Sequence, residues 1–202
     1  MDYCSEEKQL AQAVEVFRAA LKSRLYGEKY SGLAVPETLE DWERLPVLTR
    51  NEIHERSFPQ STDMLTQPVE DAIIISTGGS SGIARYTTYT HQEWDAFVTC
   101  QAEAMRILGI TRQDRVANLF IAGHFWPSFL GLHDVIKKLG AVHLPISANI
   151  PIEEVVKLCR QFEPTVMVSL PTLVVFMADM ARRDNFGFPQ LRMINYAGEH
   201  LG

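Results

Sequence analysis

Residues 77–85, Thr-Gly-Gly-Ser-Ser-Gly-Ile-Ala-Arg, gather hydrogen-bond donors on a pliant stretch of backbone. Gly78, Gly79 and Gly82 permit positive φ and let a ligand approach the main chain closely. Successive amides in such a loop form a concave anion site. Thr77, Ser80 and Ser81 add hydroxyls, and Arg85 adds a fixed positive charge. That set suits the holding of phosphate oxygens, at about 1.5–3 kcal/mol for each hydrogen bond to a charged partner. The plain alternative is a flexible turn between two strands, and short motifs often amount to no more.

Three sharper templates can be laid on the loop. A Walker A loop needs a Gly-Lys pair at a fixed offset, and none is present. A dinucleotide fingerprint needs G-x-G-x-x-G opening a helix, which the three glycines do not supply. Gly78-Gly79-Ser80-Ser81-Gly82 does match G-x-S-x-G, the nucleophile elbow of a serine hydrolase, with Ser80 as nucleophile and His200 as a candidate base. An elbow requires a helix after the serine. Here "RYTTYT" follows, and alternating threonine and tyrosine favour a strand.

The elements that must position the loop are read from periodicity and punctuation. Residues 5–26 form one amphipathic helix with Leu10, Ala13, Val14, Phe17, Leu21 and Leu25 at helical spacing, stopped by Gly27. Thr49 and Glu52 make a capping box, so a short helix starts at Arg50. Strands are predicted at 72–76, 85–90, 115–122, 141–146, 165–170 and 191–197. Helices are predicted from Thr90, again with a capping box to Glu93, to about Leu108, and at 127–139, 151–162 and 172–183. Trp94, Phe97, Val98, Met105 and Leu108 supply the buried side of the first of these. Strands alternating with such helices imply a mostly parallel sheet flanked by helices with right-handed crossovers. The fold class is therefore α/β, with a helical N-terminal segment and connection over 1–70 and the α/β part over 71–202.

Composition narrows the function classes. Of 202 residues 46% are hydrophobic and 22% charged, enough apolar material for a proper core. A formal charge of −6 gives no reason to expect nucleic acid or a membrane surface as partner. Cys4, Cys100 and Cys159 are odd in number and widely spaced, which suggests a reducing, cytoplasmic setting and no zinc site. Cys100 and Cys159 read as small buried hydrophobes within helices. The acidic N-terminus does not resemble a signal peptide, and no apolar run approaches the roughly 20 residues of a membrane span.

The order of motifs carries a resemblance. "STGGSSGIARYTTYT" resembles the phosphate loop of the adenylate-forming superfamily, the AMP-binding acyl-CoA synthetases, luciferases and adenylation domains, whose pattern is [ST]-[ST]-G-[ST]-[ST]-G-x-P-K. Gly78, Ala84 and Arg85 stand where that pattern has a hydroxyl residue, proline and lysine. "LPVLTRNEI", "LGITRQDRVANLF", "GHFWPSFLGLHDVIKKLGAVHLPIS", "FEPTVMVSLPTLVVFMA" and "LRMINYAGEHLG" are similar, in order, to segments of the phenylacetate-CoA ligase-like branch, so that the resemblance spans roughly 45–202.

The resemblance implies a ligase that activates a carboxylic acid with Mg·ATP as its acyl-adenylate and hands the acyl group to a thiol, usually CoA. It implies that the loop Thr77, Gly78, Gly79, Ser80, Ser81, Gly82 and Arg85 holds the β- and γ-phosphates. It sets Ala197, Gly198 and Glu199 beside the adenine, and His124, Phe125 and Trp126 around a small, aromatic or other organic acid. The magnesium ligand, the ribose-binding aspartate and the C-terminal lid domain with its lysine come later in the family's order. The expectation is thus an N-terminal fragment that holds part of an ATP site without full turnover, and that self-associates through apolar surface. Two other readings stay open: the serine hydrolase, and a non-catalytic domain binding nucleotide or a partner.

The remaining candidates have plainer readings. His124, His133 and His143 lack the spacing of a metal set on one helix and read as surface or packing residues. His124, Phe125 and Trp126 are equally compatible with a core aromatic cluster. Glu153 and Glu154 suit a helix N-terminus and are given no catalytic role.

Overall fold

The computed structural model describes residues 6–78 and 84–199. The chain forms two compact units, Met1–Thr88 and Tyr89–Gly202.

In the first unit the long helix expected over 5–26 is two helices, α1 Glu6–Ala20 and α2 Arg24–Lys29. The break has a local cause. The Ser23 hydroxyl donates to the Ala20 carbonyl at 2.8 Å and accepts from the Tyr26 amide at 3.3 Å, closing one helix and capping the next. Gly27, expected as a stop, lies inside α2. Phe17 and Leu25 are buried, while Leu21 at the break is partly exposed. A further helix, α3 Leu39–Glu43, was not foreseen, although its capping box of Thr38 and Asp41 is visible in the sequence. α4 Arg50–Arg56 begins where Thr49 and Glu52 place it. Lys29 and Glu52 pair at 2.6 Å, and with the Thr49 amide and hydroxyl this holds the Glu52 carboxyl down to about 2. β1 Ala72–Ser76 and β2 Tyr86–Thr90 then pair in a two-stranded sheet.

The second unit alternates helix and strand. α5 His91–Ile107 opens on the Thr90–Glu93 capping box. It is followed by β3 Arg115–Asn118, α6 Pro127–Leu139, β4 Val142–Leu144, α7 Ile152–Phe162, β5 Val166–Ser169, α8 Pro171–Arg183 and β6 Met193–Tyr196. The strands form a parallel sheet in the order β4-β3-β5-β6. In β3, Val116 and Asn118 share one face, and the Asn118 side chain reaches the Phe129 carbonyl of α6. On the other face Ala117, Leu119 and Met167 pack with Val155, Val156 and Cys159 of α7 and Met177 of α8. Helices therefore cover both faces, which is why Val166, Met167 and Val168 form an unbroken apolar run.

α5 buries Trp94, Val98 and Ala102, residues four apart. Phe97 and Leu108, expected on that side, are 41% and 56% exposed. Cys100 faces away from the stripe and is exposed, contrary to expectation. Cys159 is buried, which pushes its thiol up to about 12 and makes it inert as a nucleophile.

The N-terminal ends of β3, β5 and β6 share one polar lock. The buried Asp114 carboxylate accepts from Arg192 Nε at 2.9 Å and Nη2 at 2.6 Å, from the Thr165 hydroxyl at 2.7 Å and from the Thr111 amide at 2.8 Å. Thr165 Oγ1 also accepts from the Arg115 amide at 3.0 Å. The Arg192 guanidinium first, and the Thr111 and Thr165 donors with it, hold the Asp114 carboxyl far below the usual range against the opposing effect of burial.

Candidate functional site

In open parallel sheets, ligands bind beyond the carboxyl ends of the strands. Three segments of the second unit meet that description.

The first follows β3. The strand was expected to run to residue 122 but ends at Asn118, because its side chain turns the backbone. Oδ1 accepts from the Phe120 amide at 3.3 Å while Nδ2 donates to the Phe129 carbonyl at 3.0 Å. Ser147, after β4, holds the next stretch. Its hydroxyl donates to the Phe120 carbonyl at 3.1 Å and accepts from the Ala122 amide at 3.2 Å. Asn149 Nδ2 donates to the Ala122 carbonyl at 2.8 Å.

The chain then passes through three successive left-handed residues, Gly123 at φ +95°, His124 at +55° and Phe125 at +59°. For His124 and Phe125 this costs on the order of 1 kcal/mol or more each. The turn closes with the Trp126 amide on the Gly123 carbonyl at 3.0 Å, and Pro127 starts α6 at its first position. The His124 and Trp126 rings lie 5.0 Å apart, and Phe125 is 58% exposed. These three aromatic side chains thus stand on a strained turn at the carboxyl end of β3 and not in the apolar core.

The second segment follows β6. The Ala197 amide donates to the Ser169 carbonyl at 3.2 Å. Gly198 has φ +94°, and a Cβ there would lie 2.9 Å from Leu170 Cδ2. The Glu199 carboxylate accepts from the Thr172 amide at 3.2 Å and from the Thr172 hydroxyl. It therefore serves as the cap of α8, whose own N-cap residue, Leu170, has no polar side chain to offer.

The third is the end of β5, where the Ser169 hydroxyl is fully buried and has no partner among the described residues.

The glycine-rich loop belongs to the first unit. Its base is closed by the Thr77 amide on the Arg85 carbonyl at 2.9 Å and the Arg85 amide on Thr77 Oγ1 at 3.1 Å. Thr77, Gly78 and Arg85 are exposed, and Gly78 has open space around its Cα. Gly79, Ser80, Ser81 and Gly82, and likewise His200, lie outside the described residues. After the loop comes β2 and not a helix, which removes the strand–turn–helix context that a Ser80 nucleophile needs.

His133 and His143, which spacing alone did not pair, meet from α6 and β4 with Nδ1 atoms 3.1 Å apart. Burial first, and the neighbouring His133 second, lower the His143 pKa and keep that ring neutral. Among the described residues no group of three or more His, Cys, Asp or Glu side chains could hold a metal ion, and no helix is long and apolar enough to cross a membrane. Sequence reasoning missed Asn118, Ser147, Asn149 and Thr172. The polar residues of "SANIP" were a readable signal for two of them.

The sequence is 24% identical over 156 residues to the phenylacetate-coenzyme A ligase of Pseudomonas putida, which covers 77% of this chain and 34% of that protein. The structure superposes on 2-hydroxyisobutyryl-CoA ligase, in complex with 2-HIB-AMP and CoA in the thioesterification state, with a TM-score of 0.84 over 96% of this chain. The fold is that of the N-terminal part of the adenylate-forming ligases. An open conformation of the same ligase gives a TM-score of 0.83, and sequence identity is 20–21% in both cases. No family model matches. The chain spans about a third of the curated ligase and 43% of the solved one, so it carries one part of the adenylate-forming fold.

Proposed function

We propose that this chain supplies the ATP- and acid-binding part of an ATP-dependent carboxylic acid–CoA ligase acting on a small, aromatic or other organic acid. The observation that supports it most is the match, over nearly the whole chain, to a ligase whose complex contains an acyl-adenylate and CoA. The chemistry joins an acid oxygen to the α-phosphorus of ATP and expels pyrophosphate, after which a thiol sulfur replaces the adenylate on the acyl carbon.

In this reading the residues divide the work. Thr77, Gly78, Gly79, Ser80, Ser81, Gly82 and Arg85 hold the outer phosphates and stabilise charge on the leaving pyrophosphate. Thr77 Oγ1 accepts from the Arg85 amide, which leaves its hydroxyl proton available to a phosphate oxygen. Ala197, Gly198 and Glu199 face the adenine. His124, Phe125 and Trp126 border the acid. Magnesium takes one or two carboxylates plus substrate phosphates. Glu199 is already engaged by Thr172.

Titration of the chain with ATP and with AMP, followed by tryptophan fluorescence, tests the reading. Wild type binds both, and Arg85→Ala weakens ATP roughly tenfold or more while leaving AMP nearly unchanged, because the lost contact is to the outer phosphates. Silence of the wild-type chain to both nucleotides would overturn the assignment. Equal weakening of ATP and AMP would remove the loop from it.

A further inference from the structure

The turn after β6 is tied down residue by residue to the β5–α8 junction. Ala197 bonds to the Ser169 carbonyl, Gly198 closes against Leu170, and Glu199 binds Thr172 through both its amide and its hydroxyl. Ser169, Leu170 and Thr172 make no appearance among the residues that the resemblance marks for ligand binding. The Glu199 carboxylate sits at the N-terminus of a 13-residue helix, where two donors and the positive end of the helix dipole favour a negative charge.

Two consequences follow from this placement. The carboxylate is committed within the chain, so the exposed turn can meet a ligand through its main chain, whose conformation the tie sets. The same charge occupies the N-terminal end of α8, which would otherwise attract a phosphate beside the turn, and a second anion there would meet like-charge repulsion. The turn therefore suits a neutral, edge-on hydrogen-bonding group and not a phosphate.

We infer that Thr172 is a positioning residue for nucleotide recognition. Acting through Glu199, it holds the Ala197–Gly198 main chain in the left-handed turn that receives the base. The inference rests on the proposed role of 197–199 as the adenine side. Thr172 is exposed and sits in the first turn of α8, so replacing its hydroxyl alone leaves the core intact.

The test measures the affinity of AMP and of inorganic pyrophosphate for wild type, Thr172→Val and Thr172→Ser. Thr172→Val should raise the AMP dissociation constant about tenfold and leave that of pyrophosphate within twofold, with Thr172→Ser restoring AMP binding. A purely structural role would move both ligands together and show first in the melting temperature. If wild type binds AMP and Thr172→Val binds it equally well, the inference fails while the nucleotide reading stands. If wild type binds no AMP, both fail. Hydrogen exchange at the Thr172 amide gives an independent check: it should quicken at least tenfold in Glu199→Ala, and an unchanged rate would show that the tie does not exist in solution.

Discussion

The two ends of the four-stranded sheet are built on opposite principles. At the N-terminal end, a single buried carboxylate, Asp114, is saturated by Arg192, Thr165 and Thr111, and the strands are fixed in register just before they begin. At the C-terminal end, the Ser169 hydroxyl is buried without a partner among the described residues, and His124, Phe125 and Gly198 adopt left-handed backbone. Burying polar groups costs free energy unless they are hydrogen-bonded, and positive φ costs more at residues other than glycine. One end thus stabilises the fold. The other is held in a less stable arrangement by anchors such as Ser147, Asn149 and Thr172, and this is the end at which ligands of such sheets bind.

Substitutions can break this contrast in order of expected effect. Asp114→Asn should be the most damaging. It removes the counter-charge of the half-exposed Arg192 and weakens the buried carboxylate's hydrogen bonds, which should cost about 2 kcal/mol after solvent screening, lowering the melting temperature by roughly 4–8 °C. The sign with pH is fixed by the depressed carboxyl. The stability it contributes is fully present above the unfolded carboxylate range, about pH 3.9, and drains away as pH falls through the folded value. Asp114→Asn should therefore flatten the acid limb of a pH–stability profile. An unaltered limb would show that the lock contributes nothing.

Gly198→Ala tests the opposite end. The new methyl meets the tip of Leu170, which can rotate, but φ +94° is strained for any L side chain. The expected cost is about 1–2 kcal/mol. The larger signature is loss of AMP binding, and full retention of binding would show that the turn has no bearing on the nucleotide.

Ser169→Ala should have the smallest effect and the opposite sign. Removing a buried hydroxyl with no partner among the described residues relieves a desolvation penalty, so stability should stay level or rise by about 1 kcal/mol. A clear loss in thermal or denaturant melts would mean the hydroxyl is satisfied in solution.

Where cause and effect are close along the chain, the sequence was readable. α6 runs from Pro127 to Leu139 as expected because proline starts it and Gly140, at φ +72°, stops it. α4 and α5 follow their capping boxes. The resemblance carried by the ordered motifs points to acid–CoA ligases, as do the sequence relative and the fold comparison. Misreadings arose where one side chain redirects the backbone. Ser23 divides one expected helix into two, and Asn118 ends β3 four residues early through a carbonyl eleven residues further on. Cys100 lies off the buried stripe of α5, which runs through Trp94, Val98 and Ala102, so a place within a helix does not by itself bury it.

By itself the sequence determined the alternation of strands and helices in the second unit and most of their starts. Those depend on periodicity, glycine, proline and capping residues within a few positions of one another. Only the tertiary structure decided how these segments are held. Glu199 finds Thr172 across 27 positions, and Asp114 finds Thr165 and Arg192 across 51 and 78. Those partners become neighbours only when parallel strands align, and no local pattern encodes a contact that the sheet itself creates.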